Sequence, residues 1–361
     1  MADDHEAQGR RWAVTVLLLC LVVLMAAAVV TVRFGLAGDD TDPPVVRAPS
    51  SSVTRRSASP GSGGFEESTS IDPTPGRGDP GRALLSAACD GTLTSSRSAP
   101  VADAGLVEVS GVVVDGQGVR WVINDSGDSA RLFGLRTGDD GRVAVQEVAV
   151  TGAENLDWED MAIHRSPSSE EIWLADTGDN QASRATVSLY RIAVPEAGAA
   201  EVAATRTEVA YPDGPHDVEA VAATPDGAVL LFTKEPGRSR LYRVPVTVPG
   251  VNGPGLPGPI TVELLGEFPV GDGESSLLTG ADMSARGDLV VLRTYGSVFV
   301  VGVPEGSAVI EALADESNRC RALPPVELQG EAIALTEDAR GYVTVGEGKS
   351  PRLTTVLAPA P

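Results

Sequence analysis

The chain has 361 residues, 42% of them hydrophobic but only 4% aromatic, and it sets 28 basic side chains against 50 acidic ones for a formal net charge of -22. That acidity excludes nucleic acid as a partner, since a phosphate backbone needs a basic surface. Three Cys and three His are too few for a disulfide scaffold or a histidine-rich zinc centre. With 40 Gly and 26 Pro the chain reads as short strands joined by turns rather than as a helical protein.

Residues 1–11 end in Arg10 and Arg11, and residues 12–32 follow without a charge until Arg33. A helix over this run is about 31 Å long, enough to cross the hydrocarbon layer. The basic pair on its N-terminal side predicts a cytoplasmic tail at 1–11 and a transmembrane signal-anchor helix at 12–34, in contact with the lipid bilayer. The alternative is a cleaved signal peptide, favoured by the N-terminal position and the small residues Ala26, Ala27 and Ala28. Cys20 follows three leucines, which disfavours lipoprotein processing. Between 37 and 83, 26 of 47 residues are Pro, Gly, Ser or Thr. Such a stretch buries too little apolar surface to order itself, so 35–84 reads as a disordered stalk carrying an extracellular domain at 85–361.

From 85 onward one pattern recurs five times. A first strand runs from small or acidic residues into an apolar stretch: EVSGVVVD (108–115), DWEDMAIH (157–164), HDVEAVAA (216–223), TGADMSA (279–285) and QGEAIALT (329–336). A turn and a second strand with a polar end follow each time, as in VRWVINDSGD (119–128) and EEIWLADTGDN (170–180), and then a third strand. Fourth strands are read at 142–150, 201–210 and 260–269, and a weaker one at 307–314. Units of about 50–60 residues, each too small to bury its own face, predict an all-β fold, a β-propeller of five or six four-stranded blades. A β-sandwich is the competing architecture. The last unit lacks an outer strand, which residues 91–100 can supply, closing the ring and removing its exposed edges. Cys89 and Cys320 flank that closure and are read either as a disulfide or as two buried thiols.

The polar residue of each first strand, taken as Ser110, Asp160, Glu219, Asp282 and Glu331, is expected to face the central channel with Glu159 beside Asp160. Second strands end at Asn124, Asp125, Asp176, Asp179, Asn180, Glu235 and Glu347, with Lys234 and Arg293 in the third and fourth units. Carboxylates crowded at one mouth repel, and a hard cation with six to eight oxygen ligands offsets this best, so Ca²⁺ is the expected cofactor. Asp125, Asp176, Asp179, Asn180 and Asp282 are its candidate ligands. For Asp115, Asp139, Asp140 and Asp226, in ordinary turn sequences, the reading is turn capping. Trp158 is read as packing between blades. Of the histidines beyond the tail, His216 is a better site candidate than His164 because Asp217 and Glu219 lie beside it.

DWEDMA, LADTGDN followed by SLYRI, HDVEAVA and the terminal GEAIAL resemble the secreted phytase-like β-propellers. The resemblance implies calcium at an acidic channel mouth and, in some members, calcium-dependent hydrolysis of phosphomonoesters. Carried to this chain, it makes Glu159, Asp160, Glu219 and Glu331 the catalytic channel carboxylates, Asp176, Asp179 and Asn180 the calcium loop, and Lys234 and Arg293 the phosphate contacts. Only those two bases stand at the strand ends, so the first reading is a membrane-anchored calcium-binding module for a cell-envelope component. The alternatives are a phosphomonoesterase acting on a phosphorylated small molecule and a purely structural surface protein. They are separated by whether Lys234 and Arg293 face the acidic cluster or pair between blades.

Overall fold

The computed structural model describes residues 80–245, 259–271, 276–322, 327 and 329–360. The cytoplasmic tail, the membrane span and all but the last residues of the stalk lie outside the described residues. Among the described residues no helix is long and apolar enough to cross a membrane.

Five strands carry the repeat: β2 (Val109–Val114), β6 (Trp158–Arg165), β11 (Val218–Ala223), β16 (Leu278–Met283) and β20 (Gly330–Leu335). Four of them are buried at every position and β6 at all but its last two. Burial on both faces explains why they read as continuous apolar runs and not as alternating ones. Each pairs antiparallel with a second strand: β3 (Arg120–Asn124), β7 (Glu170–Asp176), β12 (Val229–Thr233), β17 (Leu289–Thr294) and β21 (Gly341–Gly346). Third strands follow as β4 (Arg131–Thr137), β8 (Val187–Ala193), β13 (Arg238–Val244), β18 (Ser297–Gly302) and β22 (Thr354–Leu357). The outer strands are β5 (Val143–Thr151), β10 (Thr205–Ala210), β15 (Glu263–Pro269), β19 (Arg319–Ala322) and β1 (Thr94–Arg97). The result is a five-bladed β-propeller, with one hydrophobic cluster between each pair of neighbouring blades. Trp158 packs in the cluster between the first two blades, as read.

The ring closes where the sequence places the closure. β1 pairs antiparallel with β22, from Thr94 opposite Leu357 to Arg97 opposite Thr354. Cys89 and Cys320 are disulfide-bonded with their Cα atoms 5.0 Å apart, which ties the chain entering β1 to the outer strand of the fourth blade. Two short strands also reach across blades. β9 (Glu201–Ala203), on the way to the outer strand of the second blade, adds in parallel to β5 of the first. β14 (Ile260–Thr261), on the way to the outer strand of the third, adds to β10 of the second.

Two boundaries differ from expectation. Helix α1 (Pro80–Asp90) begins inside the segment read as stalk, and its Leu84, Ala87 and Ala88 are buried. Leu84 and Ala88 join the core between the fourth and fifth blades, so the helix belongs to the propeller. The fourth strand expected at 307–314 is instead helix α2 (Val309–Ala314), whose Ala312 and Leu313 are buried. Val309, Ala312 and Leu313 fall at helical spacing on one face, which a strand would split between two. The true outer strand is β19, and it carries Cys320.

Candidate functional site: an acidic channel mouth

All five first strands carry the same irregularity. Their register against the second strand slips between Val109 and Gly111, Trp158 and Asp160, Val218 and Ala220, Leu278 and Gly280, and Gly330 and Ala332. The residues left out of the ladder are Ser110, Glu159, Glu219, Thr279 and Glu331, because a bulge re-aims one side chain per strand. In the first and fourth blades that side chain is a hydroxyl spent on the next blade: Ser110 Oγ donates to the Trp158 carbonyl at 3.0 Å and Thr279 Oγ1 to the Gly330 carbonyl at 2.9 Å. In the other three it is a glutamate.

This register corrects the expected anchors. Asp160 lies one residue below the bulge and Asp282 three residues below its own. Asp160 is fully buried, and its Oδ2 accepts the Val221 and Ala281 N–H groups at 2.9 and 3.2 Å. Asp282 Oδ2 accepts the Leu335 N–H at 2.9 Å. These carboxyls bind the first strands of the second to fifth blades to one another beneath the mouth, where they face backbone donors. Burial pushes Asp160 well above the usual carboxylate range and Asp282 to about 6.

Above the bulges the second strands end in Asp125, Thr177, Lys234, Tyr295 and Glu347. The N–H groups of Asp125, Lys234 and Glu347 bond the carbonyls of Glu108, Asp217 and Gln329 at 2.9, 3.0 and 3.3 Å, which places these pairs at one level of the mouth. Carboxylate oxygens of Asp125, Asp157 and Glu159 lie within 4.8 Å of one another, as do those of Glu159, Asp217 and Glu219. Glu159 belongs to both groups. It is 8% exposed, and among the described residues no side chain or N–H donates to it. Burial, then the charges of Glu219, Asp125, Asp157 and Asp217, push Glu159 up to about 11. Burial lifts Glu219 to about 7 against the pull of Lys234, and Glu331 to about 8 against a hydrogen bond from Gln329. Asp157 and Asp217 are raised by burial and by their acidic neighbours.

The DTGDN loop shapes the mouth through Gly178, through the Asp179 N–H and through Asp176, whose Oδ1 accepts the Asp157 N–H at 3.2 Å. A Cβ on Gly178 would stand 2.1 Å from Glu159 Oε1 and 2.5 Å from Asp157 Oδ2, so only glycine leaves this cradle open. The Asp179 N–H donates to Asp217 Oδ1 at 2.8 Å. Asp179 itself caps its turn, accepting the Ser183 and Arg184 N–H groups at 2.7 and 2.6 Å. Asp176 pairs with Arg184 at 2.9 Å, and Asn180 is exposed. The structure therefore brings Asp125, Glu159 and Glu219 together with two acids that are not among the expected ligands, Asp157 and Asp217. Their signal was present: DWE and DVE set two acids at strand spacing, which aims both to one side.

The two bases part company. Lys234 Nζ pairs with Glu219 and lies 5.1 Å from the Tyr295 ring centroid, inside the mouth. Arg293 is 1% exposed and pairs with Glu327 at 2.8 Å. Glu327 also accepts hydrogen bonds from Thr344 and Thr354 at 2.8 and 3.2 Å, making this an ion pair between the fourth and fifth blades. Arg293 stands opposite Gly280, two residues short of the mouth, where the fourth-blade counterpart of Lys234 is Tyr295. His216 packs against Tyr211 and Tyr242, each ring centroid 5.5 Å away, and its Nε2 meets Asp213 at 3.1 Å. Asp115 and Asp140 cap turns, as read.

No protein-family model matches the chain, and no curated protein matches it. Among solved structures it is similar to the PQQ-bound aldose sugar dehydrogenase of Streptomyces coelicolor, at 10% identity over 74% of this chain and 98% of that one, with a TM-score of 0.44. It is also similar to the PQQ domain of a pyranose dehydrogenase from Coprinopsis cinerea, at 9% identity over 73% and 97% of the two chains, with a TM-score of 0.41. A streptogramin B lyase matches at 8% identity over 73% and 97%, with a TM-score of 0.36. Likenesses this distant carry no argument about ligand or activity.

Proposed function

We propose that the acidic mouth binds Ca²⁺ and that the protein is a calcium-binding propeller, held at the cell surface by residues 12–34 and the stalk, where it engages a cell-envelope component. The observation that carries this reading is Glu159: a nine-tenths buried carboxylate with no donor among the described residues, shared by two carboxylate groups and facing the cradle that Gly178 keeps open. The donor set is all oxygen, without His or Cys, which suits a hard cation. Bound there, the ion would supply positive charge to carboxylates that otherwise repel. The phytase-like resemblance of DWEDMA and HDVEAVA supports a cation at these segments. The phosphomonoesterase reading draws on Lys234 alone, since Arg293 is engaged with Glu327, and the binding module is therefore the better reading.

The test is calorimetric melting of the full-length chain in Ca²⁺, in Mg²⁺ and in chelator. Calcium at about a hundred times its Kd stabilises by about 2.7 kcal/mol. For a domain of this size that raises Tm by about 5–10 °C. Mg²⁺, which demands a tight octahedron, should do less. Gly178→Ala fills the cradle and should abolish the calcium effect, while Asp226→Asn on an outer turn should leave it intact. Identical melting under all three conditions would reduce the mouth to a solvated acidic rim.

A further inference from the structure

The two carboxylate groups of the mouth are not equivalent. Among the described residues no Lys or Arg forms an ion pair with Asp125, Asp157 or Glu159. The second group already holds a cation belonging to the protein: the Lys234 ammonium sits on Glu219, with the Tyr295 ring centroid 5.1 Å from it. An ammonium on a four-carbon stem is a compact point charge that can leave a carboxylate without disturbing the backbone. Glu159 is common to both groups, so a divalent ion in the first leaves it available to bridge to the second.

We propose that Lys234 is a resident counter-cation that sets the ion capacity of the mouth. One divalent ion binds at Asp125, Asp157 and Glu159 while Lys234 stays on Glu219. A second enters the site formed by Glu159, Asp217 and Glu219 only by displacing the Lys234 ammonium. The inference rests on the calcium reading and adds a second site, together with the group that competes for it.

Titration of the full-length chain with CaCl₂ by isothermal calorimetry tests it on wild type, Lys234→Gln and Lys234→Arg. Wild type should bind one ion tightly and a second much more weakly. Lys234→Gln should tighten the second site at least ten-fold, and Lys234→Arg, which keeps a cation there, should not. A measurement on wild type alone covers the case in which the glutamine variant does not fold. The chain has two lysines, and Lys349 is exposed. Acetylation of Lys234 relative to Lys349, read by mass spectrometry, should therefore rise several-fold as calcium reaches the range of the second ion. Equal ion number and affinities in wild type and Lys234→Gln, or a flat acetylation ratio through saturation, overturns the competition and leaves the first calcium site standing. No calcium binding by any of the proteins overturns both.

Discussion

Raising the pH should destabilise the metal-free protein, the reverse of what paired surface carboxylates do. Unfolded, Glu219 and Glu331 ionise near 4.5, but in the folded mouth burial lifts them to about 7 and about 8, and Glu159 further still. Between these limits the folded chain holds protons that the unfolded chain has lost, so unfolding releases protons and stability falls as pH rises. Each excess proton corresponds to about 1.4 kcal/mol per pH unit, and Glu219 and Glu331 supply up to about two between pH 5 and pH 7. The loss between pH 5.5 and 8 is then several kcal/mol, a large share of the ~5–15 kcal/mol that holds a domain folded. At about 2–4 °C per kcal/mol, Tm in chelator should drop by about 8 °C or more over that interval. Carboxyls held low, such as Asp128 and Asp213, act only at more acidic pH and leave the interval undisturbed. Saturating Ca²⁺ should flatten the curve by replacing the protons. Scanning calorimetry at half-unit pH steps is the assay. A metal-free Tm that is level or rises from pH 5.5 to 8 would refute the argument that these carboxyls are buried and crowded.

Two further substitutions probe the framework under the mouth. Asp160→Ala strips the Val221 and Ala281 N–H groups of their acceptor, and each buried orphan costs roughly 1–3 kcal/mol, whereas Asp160→Asn keeps an acceptor and should cost about 1 kcal/mol or less. Urea unfolding separates them, and equal losses would sink the account of Asp160 as a strut. The Cys89–Cys320 bond closes a separation of 231 residues, so replacing both cysteines by serine should cost about 5 kcal/mol, seen as a fall in Tm that added reductant reproduces in wild type and does not extend in the variant. Melting unchanged by reductant would show that the ring closure does not depend on this bond.

The architecture was legible because its signals are periodic. Five apolar first strands and a missing outer strand compel a ring, and β1 takes its place on β22 accordingly. The site was legible in composition but not in register. Which acid of E-D at 159–160 faces the mouth depends on a bulge, and nothing in the acidic string marks the slip between Trp158 and Asp160. The same blindness exchanged Asp282 for Thr279 and made Arg293 a counterpart of Lys234. The DTGDN loop misled for another reason. Asp179 and Gly178 belong there for turn capping and clearance, and the sequence of a cap and that of a ligand loop look alike. Helix α2 was lost because a run as short as Val-Ile-Glu-Ala-Leu-Ala satisfies both periods locally.

The pairing of β1 with β22 also imposes an order of assembly. Thr94 and Leu357, whose groups meet across this seam, are 263 positions apart in the chain. The strand that completes the fifth blade is thus among the first parts of the propeller synthesised, and it has no partner until nearly all the rest has been made. An unpaired strand waiting that long invites pairing with the wrong chain. Thr-Ser-Ser-Arg, exposed at all four positions even in the finished fold, is polar enough to wait in water without collapsing onto a neighbour. Docking of α1 and oxidation of Cys89 to Cys320 can hold that strand at the fourth blade before the fifth exists, so the seam is set as a latch awaiting its final edge.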